Sequence, residues 1–200
     1  IYTGLYPFNS EAYPNHTFAK LGTKSVVHYL QPLGYRVALS GKTHIKPQSV
    51  FPFEYSRQDN NPDMEAVDRL MAESVAEGSH FCLFACSNEP HGPWDKGDAS
   101  IYPPDKVILP PYIVDTPEIR KGFSAYLAEI TYYDSQVGQI LALLDKHGLK
   151  KNTLVMVVSE QGNSMPFAKW TCYGNGLQSA MIVRWPGHVK PGSTTSAMVE

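Results

Sequence analysis

Tyr35-Arg36-Val37-Ala38-Leu39-Ser40 runs without interruption into Gly41-Lys42-Thr43-His44, and the fold turns on how this stretch is read. Its first part is a short, mostly apolar strand. Its second part is a turn that delivers a lysine and a histidine just beyond the strand's carboxyl end. Two more runs have the same form. Phe81 to Ser87 leads into Glu89-Pro90-His91, and Thr153 to Val158 leads into Ser159-Glu160-Gln161-Gly162 with Lys169 close behind. A parallel sheet wound with helices binds its ligand beyond the carboxyl ends of its strands. Lys42, His44, His91, Lys169, Glu160 and Gln161 are therefore expected to converge on one pocket. That inventory suits a doubly charged oxyanion beside a divalent cation.

Working outward, Val26, Val27, Leu30 and Leu33 recur at helical spacing, which predicts a helix from Thr23 to Leu33 with Thr23 as N-cap, Gly34 as stop and Pro32 weakening the last turn. Pro47 to Asn61 is polar and aromatic without a period and reads as a long loop. Asp63 caps a helix running to about Glu77, stopped by Gly78, and the apolar run from Phe81 repeats the helix-then-strand rhythm of a parallel sheet. Sixteen prolines and fifteen glycines signal long connections, notably at Tyr102-Pro103-Pro104 and Pro110-Pro111. Thr116-Pro117-Glu118 then opens a long helix with proline at its first position and acid in its first turn. Phe123, Leu127, Ile130, Val137, Leu141 and Leu144 form its expected apolar stripe, and Gly148 its stop. Asp134 falls within that stripe, where a capping or core hydrogen bond is its expected duty. Thr153 to Val158 is a continuous apolar run, as in a strand covered on both faces of a parallel sheet. A loop to Gln178 precedes a further strand from Ala180 to Arg184, closed by Trp185-Pro186-Gly187. No internal repeat, low-complexity tract or domain boundary stands out.

With 200 residues, 42% hydrophobic and 18% charged, the chain has the composition of a globular domain with a sizeable core. A formal net charge of -2 argues against a nucleic-acid partner, which needs a basic stripe. No segment has the apolar length of a membrane span, and Ile1-Tyr2-Thr3-Gly4 has none of the features of a signal peptide. Cys82, Cys86 and Cys172 are odd in number and lack metal spacing, so neither a disulfide framework nor a zinc site is expected. Cys82 and Cys86 are expected to share one buried strand face.

Each candidate residue has a chemical reason. Lysine is a compact charge for phosphate or sulfate, and histidine serves as donor or proton carrier near neutrality. His91 lies between Pro90 and Gly92-Pro93-Trp94, a rigid loop in which the neighbouring aromatic can flank a sugar or aryl ring. Glu160 and Gln161 offer adjacent carboxylate and amide oxygens, proper ligands for calcium or magnesium, although two oxygens do not complete such a shell. No Gly-X-Ser-X-Gly elbow, P-loop or convincing Cys/His pair supplies a nucleophile.

In this order the segments resemble the formylglycine-dependent sulfatases of the alkaline-phosphatase superfamily, over nearly the whole chain. Thr3-Gly4-Leu5-Tyr6-Pro7 is similar to the stretch after that family's nucleophile motif. Leu33 to His44 resembles its Gly-Tyr-X-Thr strand running into Gly-Lys-X-His, Asn152 to Gly162 its strand into Ser-Asp-Asn/His-Gly, and Val183-Arg184-Trp185-Pro186-Gly187 the strand and turn that follow. Within the family, Gly41 to Pro47 followed by Val50-Phe51-Pro52-Phe53, and Val107 to Tyr112 followed by Thr116-Pro117, look most like N-sulfoglucosamine sulfohydrolases, the heparan N-sulfatases. Lys169 departs from that subgroup, where arginine is expected, and is closer to O-sulfatases.

The resemblance implies an α/β fold, an alkaline-phosphatase-like α/β/α sandwich with a mainly parallel sheet, of which residues 1–200 form part of the catalytic domain. It implies that Lys42, His44, His91 and Lys169 contact the sulfate, that His44 or His91 protonates the leaving group, and that Glu160 and Gln161 are calcium ligands, magnesium being the alternative. The family's usual aspartate and asparagine are shorter than this pair. A Cys/Ser-X-Pro-X-Arg motif, whose first residue becomes formylglycine, is expected upstream of Ile1, so the chain is expected to need the remainder of the same polypeptide for turnover. The implied substrate is a sulfated carbohydrate of glycosaminoglycan type, N- or O-sulfated, and the implied location is periplasm, lysosome or cell exterior. A phosphodiesterase or phosphonate hydrolase of the same superfamily, and a non-catalytic binder of sulfated carbohydrate, are the competing readings.

Overall fold

The computed structural model describes residues 1–14, 16–56 and 60–197. The chain forms two compact units, Ile1–Asn88 and Glu89–Glu200.

In the first unit the expected opening helix is shorter than its apolar pattern. Helix α1 spans Val26–Leu30 and Gln31–Leu33 continues as a 3-10 turn, because Pro32 cannot donate to the helical ladder. The cap is Ser25 rather than Thr23, and its backbone N–H donates to Nδ1 of His28 at 3.1 Å. Gly34 takes the left-handed conformation that ends the turn, at φ 83°. Strand β1 (Tyr35–Gly41) follows. It is the centre of a three-stranded parallel sheet ordered β2-β1-β3, flanked by β2 (Glu54–Tyr55) and β3 (His80–Cys86). β2 lies inside the stretch expected to be loop. Its two residues pair with Ala38 and Leu39, and a run so short leaves no period-2 signal. β1 and β3 pair from Tyr35 opposite His80 to Gly41 opposite Cys86.

β1 is covered on both faces. Val37 and Leu39 belong to a buried cluster with Ala19, Val27, Val50, Phe51 and Phe53, against which Tyr2, Cys82, Phe84 and Cys86 also pack. The expectation that Cys82 and Cys86 share a core-facing side is met. Ala38 and Ser40 turn the other way and, with Val67 and Leu70, line a small cavity beneath α2 (Met64–Glu77). Asp63 caps α2 as expected, accepting from the N–H groups of Glu65 and Ala66, and Ser40 Oγ accepts from Asp63 N–H at 2.9 Å. The helix ends at Gly78, φ 64°, where the N–H groups of Gly78 and Ser79 return to Val75 and Ser74 in a Schellman pattern.

The second unit is built on α3 (Pro117–Lys146), capped by Thr116 Oγ1. It closes in the same way, with Gly148 N–H on Asp145 C=O and Leu149 N–H on Leu144 C=O. Its buried face is not the expected stripe. Leu144 is buried, but Ile130 is 38% exposed, and the other buried residues are Ser124, Ala128, Glu129 and Gln136. Small and polar residues face inward because the chain from Asp95 to Tyr102 lays its backbone on the helix and needs partners. Glu129 Oε1 accepts from the N–H groups of Asp95 and Lys96 at 2.8 and 3.2 Å, and Ser124 Oγ donates to the carbonyls of Ala99 and Tyr102. Asp134 is exposed, not engaged in the core.

Strand β4 (Val155–Val158) pairs with β5 (Met181–Arg184), and the pairing is antiparallel. Thr153 and Leu154 stay outside the strand and Met156 is 56% exposed, so the run is not sheathed on both faces as its apolar continuity suggested. Here the unbroken apolar run specified neither the burial of the strand nor its direction. Between them the expected loop contains a short helix, α4 (Gly174–Leu177). Among the described residues no helix is long and apolar enough to cross a membrane.

Candidate functional site

In the first unit, β1 delivers Lys42 and His44 as expected. Gly41, at φ 98°, makes the exit possible: a Cβ there would lie 2.1 Å from the carbonyl oxygen of Cys86. Lys42 N–H donates to that carbonyl at 2.8 Å, so the ladder with β3 continues one step past the strand and fixes where the lysine leaves. Lys42 is half-buried and His44 exposed.

His44 has a partner that sequence reasoning missed. Its Nε2 lies 2.9 Å from Nδ1 of His16, with ring centroids 4.7 Å apart and the rings tilted by 51°. The two loops are laced together nearby. Ala19 N–H donates to Lys46 C=O at 2.9 Å, and Lys46 Nζ stands 5.5 Å from the centre of the Phe18 ring. His16 itself sits at φ 65°. Nothing in its sequence neighbourhood signals this, because the contact joins loops rather than positions at a helical or strand period.

In the second unit, His91 stands exposed after Pro90. Its Nδ1–H donates to the Gly92 carbonyl at 2.7 Å, which leaves Nε2 for any other partner. Trp94 behind it donates from Nε1 to Pro90 C=O at 3.3 Å and packs edge-on against Tyr126. The loop is held onto α3 by Glu129, which is wholly buried. Burial pushes the Glu129 carboxyl up. The backbone N–H groups of Lys96 and Asp95 pull it partly back, and the charges of Glu89 and Asp95 add to the rise.

Glu160, Gln161 and Lys169 share one knot of chain in the same unit. Ser159 N–H donates to Ala180 C=O at 2.9 Å, extending the β4–β5 ladder, and Ser159 Oγ donates to Gln161 C=O at 3.1 Å. Lys169 N–H donates to Asn163 C=O at 2.8 Å, tying the lysine's backbone to the acid-amide segment. Gly162 allows the crossing, since a Cβ there would meet Asn175 O at 1.8 Å. Two residues around Lys169 adopt the left-handed conformation rare for bulky side chains, Phe167 at 62° and Trp170 at 69°. Phe167 packs edge-on between Tyr112 and Tyr173, while Trp170 is 85% exposed with Lys169 Nζ 5.9 Å from its ring centre. These aromatics were not singled out from the sequence, although Phe167 and Trp170 lie within two residues of Lys169. The structure thus groups Lys42 with His44 and His16, groups Lys169 with Glu160 and Gln161, and sets His91 on its own loop.

Comparison with known proteins gives one family. The sulfatase family model matches residues 1–199. An ulvan-active sulfatase of Formosa agariphila is 29% identical over 100% of this chain and 40% of its own length. The human N-sulphoglucosamine sulphohydrolase is 23% identical over 94% of this chain and 43% of its own. The chain therefore spans about two-fifths of these relatives. A solved structure from work on glycosaminoglycan metabolism by Bacteroides thetaiotaomicron superposes with a TM-score of 0.76 at 20% identity, over 93% of this chain and 54% of that one. The α/β fold is shared with it.

Proposed function

Because the chain belongs to the sulfatase family, we propose that the intact protein hydrolyses sulfate esters or N-sulfate groups on sulfated, glycosaminoglycan-type carbohydrate. The match across residues 1–199 carries this reading. Its likeness to enzymes named for ulvan and for N-sulfoglucosamine supports a polyanionic sugar as substrate. A periplasmic, lysosomal or extracellular location accords with such substrates.

In this reading Lys42, His44, His91 and Lys169 are each contacts of the sulfate. Cations and N–H donors held at the ends of rigid strands stabilise the charge that develops there and need not reorganise as it does. His91 has spent Nδ1–H on Gly92, so Nε2, when protonated, is the atom that hands a proton to the departing oxygen or nitrogen. Glu160 and Gln161 would hold calcium, with magnesium the alternative. Their oxygens are of the right kind, and among the described residues no cluster of three or more acid, histidine or cysteine side chains adds to them. Calcium takes six to eight oxygens, so this pair supplies part of a shell. Bound there, the metal would neutralise charge on the sulfate. A formylglycine nucleophile is expected from the rest of the polypeptide.

The test is release of inorganic sulfate by the intact protein from N- and O-sulfated disaccharides. Lys42→Ala and His44→Ala should each lower kcat/KM by roughly 100-fold or more, in the range seen when one donor to a developing oxyanion is removed, with little change in Tm. Unaltered kinetics in both variants, or hydrolysis of phosphonate or phosphodiester analogues in preference to sulfates, would overturn the proposal.

A further inference from the structure

The His16–His44 pair constrains where one proton must sit. Only one hydrogen fits between Nδ1 of His16 and Nε2 of His44 at 2.9 Å, so one ring donates and the other accepts. With Nε2 engaged, Nδ1 is the ring nitrogen of His44 left for a substrate oxygen. In a neutral imidazole one nitrogen carries the proton and the other a lone pair. If His44 donated to His16, it would turn a lone pair toward the anion. If His16 donates, His44 presents Nδ1–H.

We propose that His16 is a positioning residue: its Nδ1–H donates to Nε2 of His44 and thereby holds His44 as the Nδ1–H tautomer that an anionic substrate requires. This rests on the reading of His44 as a sulfate contact. A second observation marks the position. The backbone of His16 is held at φ 65°, a conformation uncommon for a residue with a side chain that persists only where its surroundings over-determine it. They do so here: Thr17 N–H returns to Pro14 C=O at 3.2 Å, Lys20 N–H to Ser10 C=O at 2.8 Å and Ala19 N–H to Lys46 C=O at 2.9 Å. The outcome of that lacing is that the two imidazoles meet. A partner that fixes a neighbour's tautomer through its other ring nitrogen is a recognised way of tuning a histidine.

The experiment uses the intact polypeptide labelled with 15N-histidine, at about pH 8, where ordinary imidazoles are neutral. Long-range 1H–15N correlation spectra read the protonated nitrogen directly, and His44→Gln assigns the signal. In the native protein His44 should show a pyrrole-type Nδ1 and a pyridine-type Nε2. His16→Gly accepts the left-handed backbone but removes the donor, so His44 should revert toward the Nε2–H form. Sulfate release should then fall in kcat by about 10- to 100-fold, the usual effect of removing such a partner, with KM roughly unchanged. His16→Asn tolerates the same backbone and retains an N–H donor, so it should restore the Nδ1–H signature and much of kcat.

An Nε2–H form of His44 in the native protein overturns the proposal, as does a His16→Gly variant with unaltered spectrum and kcat. The two readings fail separately. If the protein releases sulfate from no substrate, the sulfatase reading falls, while the spectra still decide which ring holds the proton.

Discussion

A side chain at position 41 has nowhere to go. The hypothetical Cβ would collide with backbone, Cys86 O at 2.1 Å and Asn61 C at 2.9 Å, rather than with the yielding end of a side chain, and φ there is 98°. Gly41→Ala should therefore push β1 and β3 apart where Lys42 departs. A loss of more than about 2 kcal/mol in urea unfolding is expected, toward the upper end for a single substitution, together with weakened binding of inorganic sulfate. Loss of less than about 0.5 kcal/mol would mean that the strand ends move freely. Similar crowding recurs at Gly162 against Asn175. In each unit, then, a glycine lets the segment bearing the candidate residues pass hard against neighbouring backbone. His16 was invisible at this scale because a histidine in a polar loop announces no partner; its meaning comes only from the loop laid beside it.

Among the elements, β1 and α3 bear most. Leu39 is fully buried in the cluster around Phe51 and Phe53, so Leu39→Ala should cost about 2–5 kcal/mol, the range for emptying such a site. Circular dichroism during urea titration of the intact protein would measure it. α3 behaves otherwise, because its buried carboxylate serves the backbone of the chain after His91. The native Glu129 carboxyl is pushed up by burial, so the folded protein holds that proton more tightly than the unfolded chain does. The stability this contributes is full below the ordinary glutamate range and is lost as pH rises through the raised native value. Glu129→Gln keeps an oxygen to accept from Asp95 and Lys96 N–H but cannot titrate. Relative to it, the native protein should lose stability as pH rises above the ordinary glutamate range. Parallel stability curves for the two proteins would contradict this. The ends of α2 and α3, though not of α1, were legible beforehand because caps and glycine stops are local chemistry: Asp63 and Gly78, Thr116 and Gly148. The inward face of α3 was not, since an apolar stripe predicts apolar neighbours and the neighbour here is peptide backbone.

Over the whole molecule, the α/β class and the order of the longer helices and strands could be read in advance, whereas the short β2 and α4 and the direction of β4 could not. Pairing direction depends on how the chain returns, and that is decided by the knot between Ser159 and Ala180 rather than by Thr153 to Val158. The places of Lys42, His44 and His91 in the chain could be read in advance because β1 and β3 precede them, and their contact with sulfate belongs to the proposal. If Glu160 and Gln161 hold calcium, dialysis of the intact protein against a chelator should abolish sulfate release and added calcium should restore it, whereas activity untouched by chelation would remove the metal from the reading. The knot has a further property. Its two ends meet where Ser159 N–H donates to Ala180 C=O at 2.9 Å, the last step of the β4–β5 ladder, so the chain returns to its point of departure. Closing a longer or shorter excursion between fixed ends changes the entropy only slowly. The stretch between β4 and β5 can therefore change in length at small entropic cost, and the acid-amide pair and Lys169 lie inside it together as one contiguous piece of chain.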